Sequence, residues 1–481
     1  MIDFRPILFI IGMLMLPLAV AMSIPAIADA NAGNPDWQVF TIAAGFTLFV
    51  GVTFVLTARS SIRNISTRQA FVLTTLLWIV IPAFAALPFT FADMDLSYTD
   101  AFFEAMSGLT TTGSTVIVGL DAAPPGILLW RALLQWLGGI GVVAMAIAIL
   151  PLLQVGGMQL FRMESSDSSD KVLPRTTPLV AYIAFIYLGF SMLCAFAYWL
   201  AGMGGFEAIA HAMTTIATGG FSTRDESIGH FDSAAVDAIA IAFMLIGSLP
   251  FVLYLRALRG NPGSLWRDSQ IRWFLLIVVT VVAVMTAYLY FNGTPVATAL
   301  RHAAFNVISI LTGTGYATEN FGAWGAFALP FFFFIMFIGG CAGSTTCGIK
   351  VFRFQVLYAT AVAQMKRLLQ PHGVFIPYYN RKPIPEEVSA SVMSFFFLYA
   401  LCYAAIALGL GLIGLDFLTA ASGAATAISN VGPGLGEVIG PAGTFHTLPD
   451  SAKWLLSAGM LLGRLELFTV LVLLAPSFWR S

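Results

Sequence analysis

Four short segments rich in glycine and threonine contain the residue types in this sequence that could bind an ion. They read Thr110-Thr111-Thr112-Gly113, Ala217-Thr218-Gly219-Gly220, Thr312-Gly313-Thr314-Gly315 and Ser429-Asn430-Val431-Gly432. None has a titratable side chain, so the oxygens they offer are backbone carbonyls and hydroxyls. Such oxygens suit hard, weakly bound cations, and carbonyls can replace the hydration shell of an ion. These four glycine turns therefore predict a cation pathway lined by backbone oxygens.

Each turn ends a short, mildly apolar stretch, and the four stretches align without gaps on the final glycine. The stretches are 101–113, 208–220, 303–315 and 420–432. Each has Ala twelve residues before the glycine, Ser or Thr six residues before it, and Leu or Ile four residues before it. This regularity predicts four repeats of span, short re-entrant helix, turn and span. For any single turn, the alternative is close packing between membrane helices, which small residues usually serve.

The composition requires the elements that position these turns to lie in a membrane. Of the 481 residues, 58% are hydrophobic and 10% are charged, whereas a soluble domain is about 25% charged. The 23 basic and 24 acidic residues leave no net positive field for nucleic acid. Soluble, disordered and nucleic-acid-binding classes are therefore excluded, and the predicted fold class is an all-α polytopic membrane protein.

Ten stretches reach the length of about 20 mostly apolar residues that a membrane helix needs. They are 7–24, 40–56, 72–91, 126–153, 179–200, 234–255, 273–291, 324–338, 388–412 and 454–475. A cytoplasmic N-terminus places most of the basic residues on the inner side, as the positive-inside rule requires, and ten spans return the C-terminus there. The predicted organisation is two N-terminal helices in 1–66 and repeats at 67–156, 157–257, 258–370 and 371–481.

Two further features lie at membrane depth. The small-residue segment, 339–350, reads GGCAGSTTCGIK, and a helix of this composition should break or kink. Arg464 lies about ten residues into the last predicted span, roughly 15 Å deep by helical rise, where its charge must face water or an acid. The alternatives are close helix packing for the segment and an ion pair with another span for Arg464. If Arg464 instead lines the cavity below the turns, it would repel a passing cation.

The turns, the repeat, the WLGGIG run at 136–141 and the small-residue segment resemble the Trk/Ktr/HKT superfamily of potassium transporters. The resemblance covers essentially the whole chain. The two extra N-terminal spans favour the TrkH-type subunit of bacterial Trk potassium uptake systems over the shorter Ktr type. The resemblance implies potassium uptake across the bacterial inner membrane, through a channel-like pore whose selectivity filter is the four turns. The key glycines would be Gly113, Gly220, Gly315 and Gly432, with Gly434 as a competing choice in the fourth turn.

The same resemblance implies a gate and partners. The small-residue segment would be an intramembrane loop that blocks the pore below the filter and moves to open it. Its gating residues would be Gly339, Gly340, Gly343, Ser344, Thr345 and Gly348, with Arg464 beside them; Thr346 and Cys347 depart from the family's glycine-richer pattern. The resemblance also implies K⁺ as the bound and transported ion, a homodimer, and a TrkA-type cytoplasmic nucleotide-binding ring.

Two other functions stay open at this point. A sodium-coupled, Ktr-like symporter is the alternative within transport; Gly113, where related sodium transporters of plants have Ser, favours potassium but leaves the coupling ion undecided. An intramembrane enzyme would need a Ser/His, paired-Asp or His-metal set at depth, and the sequence offers none. Cys194, Cys341, Cys347 and Cys402 have no metal-ligand spacing, and Cys341 and Cys347 are expected to be buried small hydrophobic residues.

Overall fold

The computed structural model describes residues 2–59, 66–148 and 176–480, and it is mostly helical. The predicted end of the fourth span, near residue 153, and the predicted boundary between repeats at 156–157 lie outside these residues. The helices are α1 (Arg5–Ala32), α2 (Trp37–Thr57), α3 (Thr67–Ala85), α4 (Leu87–Phe91), α5 (Tyr98–Leu109), α6 (Pro125–Ala148), α7 (Thr176–Leu200), α8 (Gly205–Ile216), α9 (Ala234–Gly247), α10 (Phe251–Leu258), α11 (Gly263–Arg267), α12 (Ser269–Phe291), α13 (Val296–Leu311), α14 (Ala328–Ile335), α15 (Val351–Leu369), α16 (Glu386–Leu412), α17 (Phe417–Ser429), α18 (Gly436–Ile439), α19 (Asp450–Arg464), α20 (Phe468–Leu471) and α21 (Pro476–Arg480). The two strands, β1 (Tyr378–Tyr379) and β2 (Lys382–Pro383), form a small antiparallel hairpin between α15 and α16.

Seven stretches in the described part of the chain are long and apolar enough to cross a membrane, and two bent helix pairs raise the number to nine. The seven are Arg5–Ala32, Trp37–Thr57, Thr67–Phe91, Pro125–Met145, Leu179–Leu200, Ser269–Phe291 and Glu386–Leu412. Large apolar side chains such as Phe49, Phe185 and Phe291 point outward and are exposed, which is expected where the surroundings are lipid. A mostly helical membrane protein is therefore correct, whereas the ten-span layout stays a prediction.

The predicted eighth span, 324–338, is wrong as one continuous helix. The structure has an eight-residue helix, α14, followed by the non-helical small-residue segment and then α15. The segment cannot continue α14 because its glycines lack the side-chain contacts and helical preference of the phenylalanine run before it. The helix therefore ends at Ile335, three residues before the predicted end of the span at 338, and the non-helical segment follows it.

The two bent pairs also differ from straight predicted spans. α9 and α10 meet at 92° across Ser248, Leu249 and Pro250, where the proline ring prevents the helix from continuing. α19 and α20 meet at 108°, because Glu466 and Leu467 adopt left-handed backbone angles with φ of 58° and 56°. Each bend lies near the small-residue segment, as described below.

Buried apolar side chains form two clusters on either side of the glycine turns. One cluster joins α1 to α6 with α15, α16, α17 and α19, and the other joins α7 to α14. Within the first cluster, α1 and α2 pack closely against each other, since a methyl group on Gly12 would lie 2.8 Å from the carbonyl oxygen of Gly51. The glycine turns lie where the two clusters meet.

Candidate ion-binding site

Each glycine turn follows a short helix: α5, α8, α13 and α17, of 12, 12, 16 and 13 residues. Two of these helices begin with side-chain caps, since Ser97 accepts from the backbone N–H of Asp100 and Asp416 accepts from that of Thr419. α13 begins at Val296, directly after Pro295. The C-terminal ends of all four helices lead directly into the turns.

The four turns share one backbone conformation. In each turn the final glycine has a positive φ, and so does the residue two positions before it. The glycine φ values are 90° at Gly113, 77° at Gly220, 82° at Gly315 and 104° at Gly432, and the earlier residues are Thr111 at 51°, Thr218 at 51°, Gly313 at 71° and Asn430 at 52°. Left-handed angles in threonine are costly, so their recurrence at one position indicates that the surrounding structure imposes them.

Each turn is also held to its own helix by the same hydrogen bond. The backbone N–H one residue before the glycine donates to the carbonyl oxygen six residues before the glycine. These bonds join Thr112 to Ser107 (2.8 Å), Gly219 to Thr214 (2.9 Å), Thr314 to Ser309 (2.8 Å) and Val431 to Thr426 (3.1 Å). The Ser or Thr that recurs in the sequence at this position therefore contributes its backbone oxygen to the turn.

The four glycines close a ring. A methyl group added to any one of them would approach the carbonyl oxygen one residue before the glycine of the next turn. The distances would be 2.2 Å from Gly113 to Gly219, 1.8 Å from Gly220 to Thr314, 2.1 Å from Gly315 to Val431 and 3.0 Å from Gly432 to Thr112. The order runs from the first turn to the fourth and back to the first, so the turns surround one axis and bring backbone oxygens to it.

Gly434 lies outside this ring. Its backbone N–H donates to the carbonyl oxygen of Ile439 at 2.7 Å, and an added methyl group would meet the Ile439 side chain at 2.4 Å. It is absent from the residues with positive φ, whereas Gly432 is among them. In the fourth turn, Gly432 is thus the geometric equivalent of the other three glycines.

A cavity of about 260 Å³ lies against the ring and is lined by all four ring glycines together with Arg224 and Asp225. Arg224 forms ion pairs with Glu207 at 2.5 Å and with Asp121 at 3.1 Å. The hydrogen bond to Glu207 raises the pKa of the Arg224 guanidinium. The charged groups around Arg224 at the cavity rim are therefore one guanidinium and three carboxylates, a net negative set that favours cations although it is not purely acidic.

The small-residue segment lies against the opposite side of the turns. The Thr345 hydroxyl donates to the carbonyl oxygen of Ile216, the last residue of α8, at 3.0 Å and is 3.2 Å from the Thr218 hydroxyl. On the third turn, a methyl group on Gly313 would be 3.8 Å from the backbone nitrogen of Cys347. The segment therefore contacts two turns directly.

The bend between α9 and α10 holds the segment through backbone hydrogen bonds. The N–H groups of Thr345 and Cys341 donate to the carbonyl oxygens of Gly247 (3.1 Å) and Ser248 (3.0 Å), and the N–H of Phe251 donates to Gly343 (3.0 Å). Sequence reasoning missed this anchor. Its signal was Pro250 inside a predicted span, because a proline there leaves backbone groups free to bond elsewhere.

Arg464, at the end of α19, binds the same segment. Its Nη1 donates to the carbonyl oxygen of Thr345 at 3.3 Å and contacts the Cys347 thiol, and its Nη2 donates to the carbonyl oxygen of Gly138 at 3.0 Å. Arg464 is 3% exposed, and its guanidinium carbon lies 5.7 Å from the ring centre of Trp78. Cys347 is thus a polar partner of Arg464 and not only the small hydrophobic residue that was expected.

The alternative of an ion pair between Arg464 and an acid of another span finds no carboxylate within ion-pair distance among the residues that the structure describes. The nearby Glu466 carboxylate instead pairs with Arg353 on α15. Arg464 meets carbonyl oxygens, a thiol and an aromatic ring, and its Nε has no hydrogen-bond partner. Carbonyl dipoles and a thiol offset a buried charge less than a carboxylate would, so holding Arg464 here is costly in a membrane.

The other residues to which the family resemblance assigns gating fold tightly within the segment. The Ser344 hydroxyl donates to the Cys341 carbonyl oxygen at 2.6 Å and contacts the Thr346 hydroxyl at 2.7 Å. Gly343 and Gly348 have positive φ, and methyl groups on Gly339 and Gly340 would meet Cys347 at 1.9 Å and Thr346 at 2.7 Å. The segment is therefore a tightly folded loop in which its two ends lie side by side.

Comparison with known proteins finds similarity over the whole chain. Residues 37–481 match the TrkH family, described as cation transport protein. The chain is 48% identical over 478 residues to the Trk system potassium uptake protein TrkI of Halomonas elongata, with 99% of this chain and 97% of the relative covered. It is 41% identical to the Trk system potassium uptake protein TrkH of Vibrio parahaemolyticus, with both chains covered completely. The crystal structure of the potassium transporter TrkH from Vibrio parahaemolyticus superposes with a TM-score of 0.93 at 39% identity, covering 100% of both chains.

Proposed function

Since the chain belongs to the TrkH family of cation transport proteins, we propose that it takes up potassium across the inner membrane of a bacterium. Membership of this family makes the chain a transporter and not an enzyme. The observation that carries the proposal is the closed ring of the four turns, because it brings carbonyl oxygens from four segments to one axis. Relatives named as potassium uptake proteins, similar over their whole length, support the choice of ion.

In this proposal the turns 110–113, 217–220, 312–315 and 429–432 are the selectivity filter. Carbonyl and hydroxyl oxygens of these residues would replace the water around K⁺. The shared left-handed angles and the shared hydrogen bond to each short helix support a role that all four turns perform together. The position of Gly432 in the ring supports its choice over Gly434 as the fourth filter glycine. The four helix C-termini add a favourable dipole for a cation.

The small-residue segment is proposed as the gate, with Arg464 as its brake. The contacts of Thr345 with Ile216 and Thr218 place the loop directly against the second turn, where it would obstruct an ion leaving the filter. Arg464 binds the loop and brings a positive charge to the same region. Opening would require the loop to release the α9–α10 bend and Arg464 together.

The larger organisation is also proposed from the family and the sequence. The chain would consist of two N-terminal helices and four repeats, with both termini in the cytoplasm. It would act as a homodimer, regulated by a TrkA-type nucleotide-binding ring at its cytoplasmic face. The naming of the relatives as parts of a Trk system supports an association with further subunits.

Flux into liposomes tests this function. Liposomes that contain the purified protein and are loaded with K⁺ should take up radioactive Rb⁺ from the external solution, while Na⁺ and Li⁺ should enter poorly. Equal Na⁺ and K⁺ entry would overturn the proposal. Repeating the assay with and without an external Na⁺ or proton gradient distinguishes passive flux from symport, because a sodium-coupled transporter would take up K⁺ only when Na⁺ is present.

A further inference from the structure

Glu104 and Arg131 form an ion pair that is almost completely buried. The Arg131 Nε donates to Glu104 Oε1 at 2.7 Å, and the two side chains are 1% and 0% exposed. Glu104 lies on α5, one helical turn and a half before the first glycine turn, and Arg131 lies on α6. Burying two charges is unfavourable unless both make further hydrogen bonds, so their other contacts show what the pair holds.

Those contacts all lie on the segments that leave the first and second turns. On the first, Glu104 accepts from the backbone N–H of Val116 at 2.9 Å and from the Thr115 hydroxyl at 3.0 Å. On the second, Arg131 donates to the carbonyl oxygen of Ser222 at 2.6 Å and lies over the Phe221 ring, 4.1 Å from its centre. One ion pair therefore ties two neighbouring repeats together just beyond Gly113 and Gly220.

The residues equivalent to Glu104 in two other repeats also form hydrogen bonds with the segment that leaves the turn. Nine residues before the ring glycine, the second repeat has His211 and the third has Asn306. The His211 Nε2 is hydrogen-bonded to the Ser222 hydroxyl at 2.9 Å. Asn306 donates to the Thr318 hydroxyl at 2.8 Å and accepts from the Thr318 backbone N–H at 3.2 Å. In each case a side chain of the short helix is hydrogen-bonded to the chain two to three residues after the glycine.

The fourth repeat forms the corresponding hydrogen bond from a neighbouring residue. Gly423 occupies the equivalent position, and the adjacent Ser422 accepts from the backbone N–H of Leu435 at 2.9 Å. Three repeats therefore use neutral groups, and only the first uses a charge with a matching cation. The first repeat is also the only one of the four whose tether reaches across to a second turn, through Arg131.

We propose that Glu104 and Arg131 are positioning residues for ion selectivity, because together they fix the outgoing segments of the first and second turns. The inference rests on the proposed function of these turns as a filter. Both act through the backbone that they hold, and Arg131, 1% exposed, also borders the cavity beside the ring. A filter distinguishes K⁺ from Na⁺ only if its oxygens stay at defined positions, so loosening two of its four segments should lower selectivity before it lowers flux.

The chain offers a matched control on the same helix. Asp100 lies one turn before Glu104 and forms a buried ion pair with Lys453 of α19, with Nζ and Oδ1 2.5 Å apart. Its other side-chain partner is Ser97, at the start of α5. This pair has burial and charge similar to Glu104–Arg131, but it holds the helix and not a segment that leaves a turn.

The test compares the K⁺/Na⁺ flux ratio of Glu104→Gln, Asp100→Asn and the unmodified protein in liposomes. We expect the ratio to fall by about tenfold in Glu104→Gln, the effect of losing one charge-assisted hydrogen bond, and to be unchanged in Asp100→Asn. An unmodified ratio in a folded Glu104→Gln protein overturns the inference. A ratio near one in the unmodified protein would instead overturn the proposed filter function.

A milder variant covers the case in which Glu104→Gln does not fold. Thr115→Val keeps both charges and removes only the hydroxyl that bridges Glu104 and Arg131 to the outgoing segment. It should fold, elute as the unmodified protein does in detergent, and show a smaller fall in the K⁺/Na⁺ ratio with total K⁺ flux retained. Normal selectivity in Thr115→Val, together with failure of Glu104→Gln to fold, would show that the pair is only structural.

Discussion

Arg464 and Thr345, 119 residues apart in sequence, are joined by a hydrogen bond of 3.3 Å from the guanidinium Nη1 to the backbone carbonyl oxygen. The bond fastens the end of α19 to the small-residue segment, and the segment in turn contacts the second turn through the Thr345 hydroxyl. Among the described residues no carboxylate forms an ion pair with Arg464, and Glu466 nearby pairs with Arg353, so carbonyl dipoles are the main partners of the Arg464 charge. In the proposed gate, this contact would break when the loop moves and re-form when the loop returns.

If Arg464 is a brake, removing its side chain should release the loop. Arg464→Ala should raise Rb⁺ uptake into liposomes several-fold in the absence of any cytoplasmic partner, since the loop loses its bonds at Thr345 and Cys347. Lys453→Met is the matched control, because Lys453 is a buried cation on the same helix that pairs with Asp100 instead of the loop. Reduced flux in folded Arg464→Ala would contradict the brake.

The Thr345 side chain provides a second test of the loop. Its hydroxyl bonds the carbonyl oxygens of Ile216 and Gly247, so Thr345→Val should loosen the loop from both at once and raise partner-independent flux. The Ser344 hydroxyl bonds only within the loop, to Cys341 and Thr346, so Ser344→Ala should change flux much less. Equal effects of the two variants would argue that loop stability, and not its attachment, controls flux.

The ring geometry gives the sharpest steric prediction. A methyl group on Gly220 would lie 1.8 Å from the Thr314 carbonyl oxygen, closer than any non-bonded contact, and the φ of 77° is itself unfavourable for alanine. Gly220→Ala should therefore abolish the preference for K⁺ over Na⁺ or prevent folding. On α6, a methyl group added to Gly141 would have no atom within 4 Å, so Gly141→Ala should behave as the unmodified protein. Normal selectivity in Gly220→Ala would show that the ring is not the filter.

Much of the architecture follows from the sequence, and the exceptions have physical causes. Apolar length predicted the membrane helices, and the spacing of Ser or Thr, Leu or Ile and Gly predicted which segments form equivalent turns. The bend at Glu466 and Leu467 was hidden, because neither residue is a glycine and their left-handed angles depend on contacts from other parts of the chain. The pairing of Arg464 with Cys347 was hidden for the same reason, since it joins residues 117 apart.

The effect of the charges at the cavity rim on K⁺ uptake should depend on the ionic strength. Arg224 holds Glu207 and Asp121 and lies beside the ring, so Arg224→Gln leaves two carboxylates to attract cations. We expect K⁺ uptake by this variant to be about twofold higher than that of the unmodified protein at 10 mM salt. At 1 M salt, where the Debye length falls to roughly 3 Å, the two proteins should take up K⁺ equally. A difference that persists at 1 M salt would mean that Arg224 shapes the turns and does not act through its field.

The same cluster predicts how the rim responds to acid. Burial alone would raise the pKa of Asp121, but the hydrogen bonds from Arg224 and Asp225 together with the charge of Arg224 outweigh this and lower the pKa below 3.8. A lowered pKa keeps the carboxylate charged until the pH falls below that of an ordinary aspartate, so the pair persists above pH 3.8. K⁺ uptake should therefore not change between pH 8 and pH 5 through this cluster, and Arg224→Gln should show the same pH profile as the unmodified protein. An acid-dependent difference between the two over this range would contradict the assignment.

The fourth turn offers a prediction that separates its two glycines. Gly432 has a φ of 104°, and a methyl group there would lie 3.0 Å from the Thr112 carbonyl oxygen, whereas one on Gly434 would meet the side chain of Ile439, whose end can move. Forcing alanine into the left-handed region costs about 1–2 kcal/mol before any clash. Gly432→Ala should thus lower the K⁺/Na⁺ flux ratio strongly, while Gly434→Ala should keep it and lose only thermal stability. Flux ratios and melting temperatures of both variants, measured on the same liposome and detergent preparations, check this. If Gly434→Ala lost selectivity and Gly432→Ala kept it, the fourth filter position would belong to Gly434, and the ring would not describe the path of the ion.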